Sequence, residues 1–252
     1  MKLSVIIPVY NEEKTVGELI RRVISTNLPV GWEKEMIIID DGSTDGTPKN
    51  VKCHIPKGFP EGNMLNVKSG KTKIRLLSNK MNLGKGAAVR KGINETTGDI
   101  LIIQDADLEY NPNDYQKLLK PIILKKTKVV YGSRLKTLKF RLWGREKTPL
   151  PVHYLVNRFL SFLTNFLYGS KLTDIETGYK LMTKEVYQKL NLVSNRFEIE
   201  PEITAKILKI GYKILEVPIT TVPRSYKEGK KIKAKDAFLA FWTLLKYRLV
   251  NY

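Results

Sequence analysis

Short apolar runs, each ending abruptly in a polar cluster, constrain this chain more than any other feature. Leu3 to Val9 is one such run, rich in β-branched residues and patterned as a strand buried on both faces. Asn11 then offers a cap to a helix with Glu12 and Glu13 in its first turn, and Val16, Leu19, Ile20, Val23 and Ile24 recur at helical spacing. Met36 to Ile39 is the next run and closes in Asp40-Asp41-Gly42-Ser43. A strand, a helix and a strand imply a right-handed crossover and a parallel sheet. Ile74 to Leu77, Ile100 to Ile103 and Lys128 to Tyr131 continue the pattern, with helical stretches at 84–96 and 113–125 between them. The expected architecture is an open α/β sheet whose ligand crevice lies at the carboxyl ends of its strands. The polar clusters after Val9, Ile39 and Ile103 all fall there.

Other classes drop out quickly. The single cysteine, Cys53, cannot form an internal disulfide, and His54 and His153 lack metal-ligand spacing, so a reducing compartment is expected and zinc is not. The N-terminal apolar run is too short for a signal peptide. Gly70-Lys71-Thr72 is not a phosphate-cradling loop, because position 65 is Leu, and Gly84-Lys85-Gly86 lacks a third glycine at Val89. The irregular stretch 52–72 reads as a surface insertion. The net charge of +19 divides into +3 over residues 1–120 and +16 over 121–252, so the second half faces an acidic partner or is simply solvated.

Asp105-Ala106-Asp107-Leu108-Glu109 sets three carboxylates at alternate positions directly after a strand. Clustered carboxylates repel unless a cation neutralises them, and hard oxygen ligands suit Mg²⁺ or Mn²⁺ beside a diphosphate. In isolation Asp-x-Asp also suits a solvated loop; its place at a strand end, with Asp40-Asp41 closing a second strand, favours the metal.

Together with Ser4-Val5-Ile6-Ile7-Pro8-Val9-Tyr10-Asn11-Glu12, Asn82-Leu83-Gly84-Lys85-Gly86, Tyr131-Gly132-Ser133-Arg134, Asp174-Ile175-Glu176-Thr177-Gly178-Tyr179-Lys180 and the basic segment Pro223 to Lys231, these residues resemble glycosyltransferase family 2. The likeness is to its polyprenyl-phosphate hexosyltransferases of the dolichol-phosphate mannosyltransferase kind. It implies a Rossmann-like GT-A nucleotide-diphospho-sugar transferase fold with a mostly parallel sheet and amphipathic helices in the C-terminal half. A catalytic domain over 1–235 is expected, with a nucleotide-binding half at 1–120, an acceptor half at 121–235 and an amphipathic helix at 236–252. The implied activity is inverting transfer of a hexose, foremost mannose from GDP-mannose, to dolichyl or polyprenyl phosphate. Transfer from UDP-glucose and transfer to a saccharide hydroxyl are the alternatives; the latter would need a base such as Glu176 or Glu198.

Carried over by position, the resemblance implies that Pro8, Tyr10, Glu12, Ile39, Asp41, Lys85, Asp105 and Ala106 hold the nucleotide sugar. Arg224, Lys230 and Lys231 would close over its diphosphate. Asp107 and Glu109, with Asp105 beside them, would hold Mg²⁺ or Mn²⁺. Asp107 and Arg134 would be catalytic, and Arg134, Arg158, Ser161 and Asp174 would receive the acceptor phosphate. A lipid phosphate is already ionised at neutral pH, so it needs its charge screened and its oxygen aligned rather than a strong base.

Two stretches, Leu155 to Leu167 and Phe238 to Leu249, place aromatic residues at helical spacing with basic flanks. Each is too short to span a bilayer, so they suit either a core or a membrane surface. Relatives of this kind often continue into transmembrane helices. The expectation is therefore a peripheral enzyme on the cytoplasmic face of a membrane, with a membrane protein as a possible partner. No nucleic-acid motif accompanies the basic charge, and nucleic acid is not expected as a partner.

Overall fold

The computed structural model describes residues 1–55, 64–69, 72–136, 148, 150–224, 231 and 234–250. Strands β1 (Lys2–Val9), β2 (Glu33–Asp40), β4 (Thr72–Ser78) and β5 (Ile100–Ile103) pair in parallel in the order β4-β2-β1-β5. Strand β3 (Met64–Ser69) runs antiparallel along β4 at one edge. At the other edge, antiparallel β7 (Lys180–Thr183) lies between β5 and β6 (Val129–Ser133), and β8 (Ile214–Pro218) pairs in parallel with β6. Six of these eight strands among the described residues thus point the same way, with their carboxyl ends on one side.

Burial on both faces follows from the strand pleat, which sends alternate side chains to opposite sides. Leu3, Val5, Ile7 and Met36 pack under α1 (Val16–Ser25) and α4 (Tyr115–Ile123). Ile6, Ile37, Ile39 and Leu101 pack on the other face under α3 (Lys85–Asn94), the short α6 (Lys184–Tyr187) and α7 (Ile199–Lys209). A third cluster joins α7 to the two C-terminal amphipathic helices, α5 (Pro151–Tyr168) and α8 (Ala234–Leu249), through Leu160, Ile175, Ala205, Ala240 and Leu244.

Two local expectations are corrected. The stretch read as irregular contains the end of α2 (Thr47–His54) and edge strand β3, because a six-residue strand beside β4 needs no apolar periodicity of its own. Asn11 does not cap α1, which begins at Val16 after Thr15. Its φ of 49° turns the chain so that its N–H donates to Ser43 Oγ (2.9 Å) and its Oδ1 accepts from the Thr44 N–H (2.8 Å), tying the loop after β1 to the loop after β2. Among the described residues no helix is long and apolar enough to cross a membrane.

Candidate active site

The loops after β1, β2 and β5 open together into a cleft of about 320 Å³. Pro8, Tyr10, Glu12, Asp41, Lys85, Asp105, Ala106, Asp107, Glu109, Arg134, Arg224 and Lys231 line it, all anticipated from sequence. Local chemistry positions each wall. Asp41, nearly fully buried, accepts hydrogen bonds from Asn79 Nδ2 (2.8 Å) and from the Leu83 (3.1 Å) and Gly84 (2.7 Å) N–H groups, so it shapes the loop that leads into α3. Gly84 sits at φ 103°, and a Cβ there would strike the Asn195 carbonyl oxygen, so only glycine lets the loop pass beneath the 195–197 segment.

On the β5 side, Lys85 bridges Asp105 (2.7 Å) and Glu200 (2.8 Å). Burial works against its ammonium, but the two carboxylates outweigh it and hold the pKa well above the usual range. Asp107 accepts from the Glu109 N–H (3.1 Å) and lies 3.3 Å from Arg224. Its pKa is pushed up to about 6, first by burial and then by the negative charges of Asp105 and Glu109, with Arg224 opposing.

The segment after β8 is zipped to this loop: the Val222 N–H donates to the Glu109 carbonyl (3.1 Å) and the Arg224 N–H to Glu109 Oε1 (3.0 Å). Arg224 is thereby delivered across the cleft onto Glu12, which it grips through both oxygens (3.0 and 3.1 Å), while Lys231 reaches the same carboxylate (2.8 Å). Burial raises the Glu12 pKa, but these donors outweigh it and keep the carboxyl below its ordinary range.

The opposite wall is built differently. Arg134, at the end of β6, donates from Nε and Nη2 to the two oxygens of Asp174 at 2.8 Å each, and its N–H bonds the same carboxylate (2.9 Å). Asn157 of α5 donates to Asp174 Oδ1 (2.7 Å), and the Asp174 carboxyl is fully buried. Desolvation alone would raise its pKa; the Arg134 charge and hydrogen bonds prevail and lower it.

Four anticipated residues lie elsewhere and one is outside the described residues. Ile39 is fully buried in the core beneath α3 rather than facing the cleft, because its parity on β2 points it to that helix. Asp174 and Ser161 stand behind Arg134: Asp174 is its anchor, and Ser161 is buried, accepting from the Ile175 N–H (3.3 Å). Neither lines the cleft; a carboxylate spent on holding an arginine is placed to orient that arginine. Arg158 projects from α5 into solvent. Lys230 lies outside the described residues.

Of the two candidate bases, Glu176 lines the cleft, whereas Glu198 accepts from the Asn195 (3.3 Å) and Arg196 (3.2 Å) N–H groups at the start of α7 and does not. Sequence reasoning missed Glu200, Arg196 and Phe197, which come from α7 and the segment before it, and Lys235 and Asp236, from the start of α8. Glu200 left no signal in the sequence, because its burial and its pairing with Lys180 and Lys85 arise only in the folded chain.

Among the described residues no three His, Cys, Asp or Glu side chains form a ready-made metal cage. The donor chemistry nevertheless fits a hard divalent cation. Asp107 and Glu109 present oxygen ligands at a site whose crowding already disfavours charge on Asp107, and a cation, the Arg224 guanidinium, is drawn onto both.

Comparison with known proteins gives the family and the fold. The family described as Glycosyl transferase family 2 matches residues 4–190. An N-acetylglucosaminyltransferase of Methanococcus voltae, named for UDP-N-acetylglucosamine and dolichyl phosphate, is 30% identical over 98% of this chain and 96% of its own. A dolichyl-phosphate beta-glucosyltransferase of Trichomonas vaginalis is 29% identical over 86% of this chain and 64% of its own. Among solved structures, glucosyl-3-phosphoglycerate synthase of Mycobacterium tuberculosis, determined with Mn²⁺, UDP and phosphoglyceric acid, is 18% identical with a TM-score of 0.70, covering 100% of this chain and 80% of that one. At that identity the likeness is one of fold.

Proposed function

This chain is a member of glycosyl transferase family 2 with its GT-A fold, and from that premise we propose that it transfers a sugar from a nucleotide donor to a polyprenyl or dolichyl phosphate. One observation carries the reading: Arg134, immobilised by a buried carboxylate, faces across one cleft the carboxylate and guanidinium cluster of Asp107, Glu109 and Arg224. The donor's diphosphate lies toward Arg224 and Lys231, and the acceptor's phosphate toward Arg134. A phosphate oxygen then attacks the anomeric carbon from the side opposite the diphosphate; the new carbon–oxygen bond forms as the bond to the nucleoside diphosphate breaks, with inversion. The acceptor arrives ionised, so no base is required, and Arg134 screens its charge without spending entropy on finding its orientation.

Asp107 and Glu109 would hold Mg²⁺ or Mn²⁺, which when bound supplies positive charge to the departing diphosphate. Asp105 is committed to Lys85 and serves the cleft wall. The nucleotide proposed is uridine diphosphate, as in the name of the 30% identical relative. GDP-mannose, the donor foremost in the family resemblance, is the second reading.

The acceptor's lipid end suits α5 and α8, which pack through Phe159 and Phe241 (centroids 6.4 Å apart). Together they expose Leu155, Phe162, Phe166, Phe238 and Trp242 beside Arg158, Lys235, Lys246 and Arg248. Exposed aromatic residues mixed with basic ones suit an anionic lipid interface, and peripheral attachment there is part of the proposal.

The test is incubation of the purified chain with Mg²⁺ or Mn²⁺, polyprenyl phosphate and UDP-N-acetylglucosamine, UDP-glucose or GDP-mannose, with the lipid product identified by mass. A sugar-phosphate lipid formed from a uridine donor is expected. Product from GDP-mannose alone would establish the second reading, and transfer only to saccharide hydroxyls would overturn the acceptor. Phe162→Glu with Phe166→Glu is expected to weaken sedimentation with anionic vesicles while leaving the melting temperature unchanged.

A further inference from the structure

Glu176 lines the cleft, and the proposed reaction leaves its chemistry unused. It stands on the segment between Asp174 and β7, and its Oε1 is buried without any hydrogen-bond partner. The neighbouring carboxylates are all engaged: Asp174 by Arg134 and Asn157, and Glu200 by Lys85 and Lys180. An unmet buried oxygen costs free energy, and such groups persist where a ligand completes them. Burial first, and then Glu200 and Asp174, against Lys180 and Arg134, push its pKa up to about 7, so near neutral pH much of it is an uncharged carboxyl that can both donate and accept.

Both phosphate-bearing parts of the substrates carry negative charge and have cationic partners elsewhere in the cleft: Arg134 on one side, Arg224 and Lys231 on the other. A carboxyl group between the Arg134 anchor and the Lys85–Glu200 pair would repel a phosphate when ionised. It can hydrogen-bond without penalty to a neutral, hydroxyl-bearing ring. Resting on the donor reading above, we propose that Glu176 is a specificity-determining residue that hydrogen-bonds a ring hydroxyl of the transferred sugar and so selects among donors sharing one nucleotide.

Glu176→Met fills a similar volume with no polar atom. Replacing an unpartnered buried polar group by an apolar one of like shape is neutral or stabilising, so this variant should melt at or above the wild-type temperature. Calorimetry would measure binding of UDP, UDP-N-acetylglucosamine, UDP-glucose and UDP-galactose to wild type, Glu176→Met and Glu176→Gln in the presence of Mg²⁺. The expected result is UDP affinity within about twofold in all three, with the wild-type ratio between best and worst UDP-sugar reduced about tenfold by Met and largely kept by Gln. Equal weakening of UDP and UDP-sugars, or an unchanged ratio in the Met variant, would overturn the assignment. Because this readout needs no acceptor, it stands apart from the lipid-phosphate reading. A chain that discriminates UDP-sugars through Glu176 yet makes no lipid product would sink the acceptor alone, and one that makes lipid product with an unaltered ratio would sink Glu176 alone.

Discussion

Two arginines face each other across the cleft, and their carboxylate partners differ in a way that separates scaffold from working parts. Among the described residues Arg134 pairs with one carboxylate, Asp174, which is fully buried and itself fixed by Asn157. Arg224 is shared among Glu12, Asp107 and Glu109, and Lys231 competes for the first of these. A one-to-one buried pair has no cheaper arrangement, because separating it would leave a charge without water or counter-ion. A guanidinium spread over three carboxylates can exchange one anion for another at little cost. The first wall is rigid and suited to aligning an acceptor; the second is exchangeable and suited to receiving a charged donor and cation.

The sharpest way to break the contrast is Asp174→Ala. Removing the buried carboxylate that holds the partly exposed Arg134 guanidinium and the Asn157 amide is expected to cost about 3 kcal/mol and lower the melting temperature on the order of 10 °C, with transfer activity lost in parallel. Asp107→Asn should do the opposite: transfer falls about 10²- to 10³-fold while the melting temperature holds or rises, since burial and two neighbouring carboxylates already oppose charge on Asp107. If thermal scans showed both variants equally destabilised, the distinction between the walls would be lost. Arg224→Ala is expected to raise the donor KM about tenfold, with a smaller thermal loss than Asp174→Ala.

The smallest effect concerns Glu176, faced by Lys180, Glu200, Arg134 and Asp174. Its folded pKa of about 7 exceeds the ordinary 4.5, so between those values the folded chain binds more protons than the unfolded one and stability falls as pH rises. Glu176→Gln removes that slope: its melting temperature should match wild type near pH 4.5 and exceed it by about 2 °C or more near pH 8. A constant difference across that range would place the titration elsewhere.

Much of this was legible in the chain itself. The runs at Leu3–Val9, Met36–Ile39 and Ile100–Ile103 appear as central strands, and the polar residues that follow them meet in the cleft, because a parallel sheet sends all its strand ends one way. Edge strand β3 was not legible, since its pairing with β4 is made by backbone groups that any sequence carries. Nor was the role of Asn11, whose partners Ser43 and Thr44 lie 32 and 33 residues away.

The sequence by itself determined strands β1, β2, β4, β5 and β6, the family and the residue types at their ends, since these follow from local periodicity and contiguous motifs, but not β3, β7 or β8. Only the tertiary structure decided which charges neutralise one another. The Asp174 carboxylate holds Arg134, the Ile39 side chain packs in the core, and Glu200 joins the cleft through Lys85. Electrostatic partners are set by distance and burial in three dimensions, and residues 40 or 115 positions apart, as in Arg134–Asp174 and Glu109–Arg224, meet only once the sheet has closed.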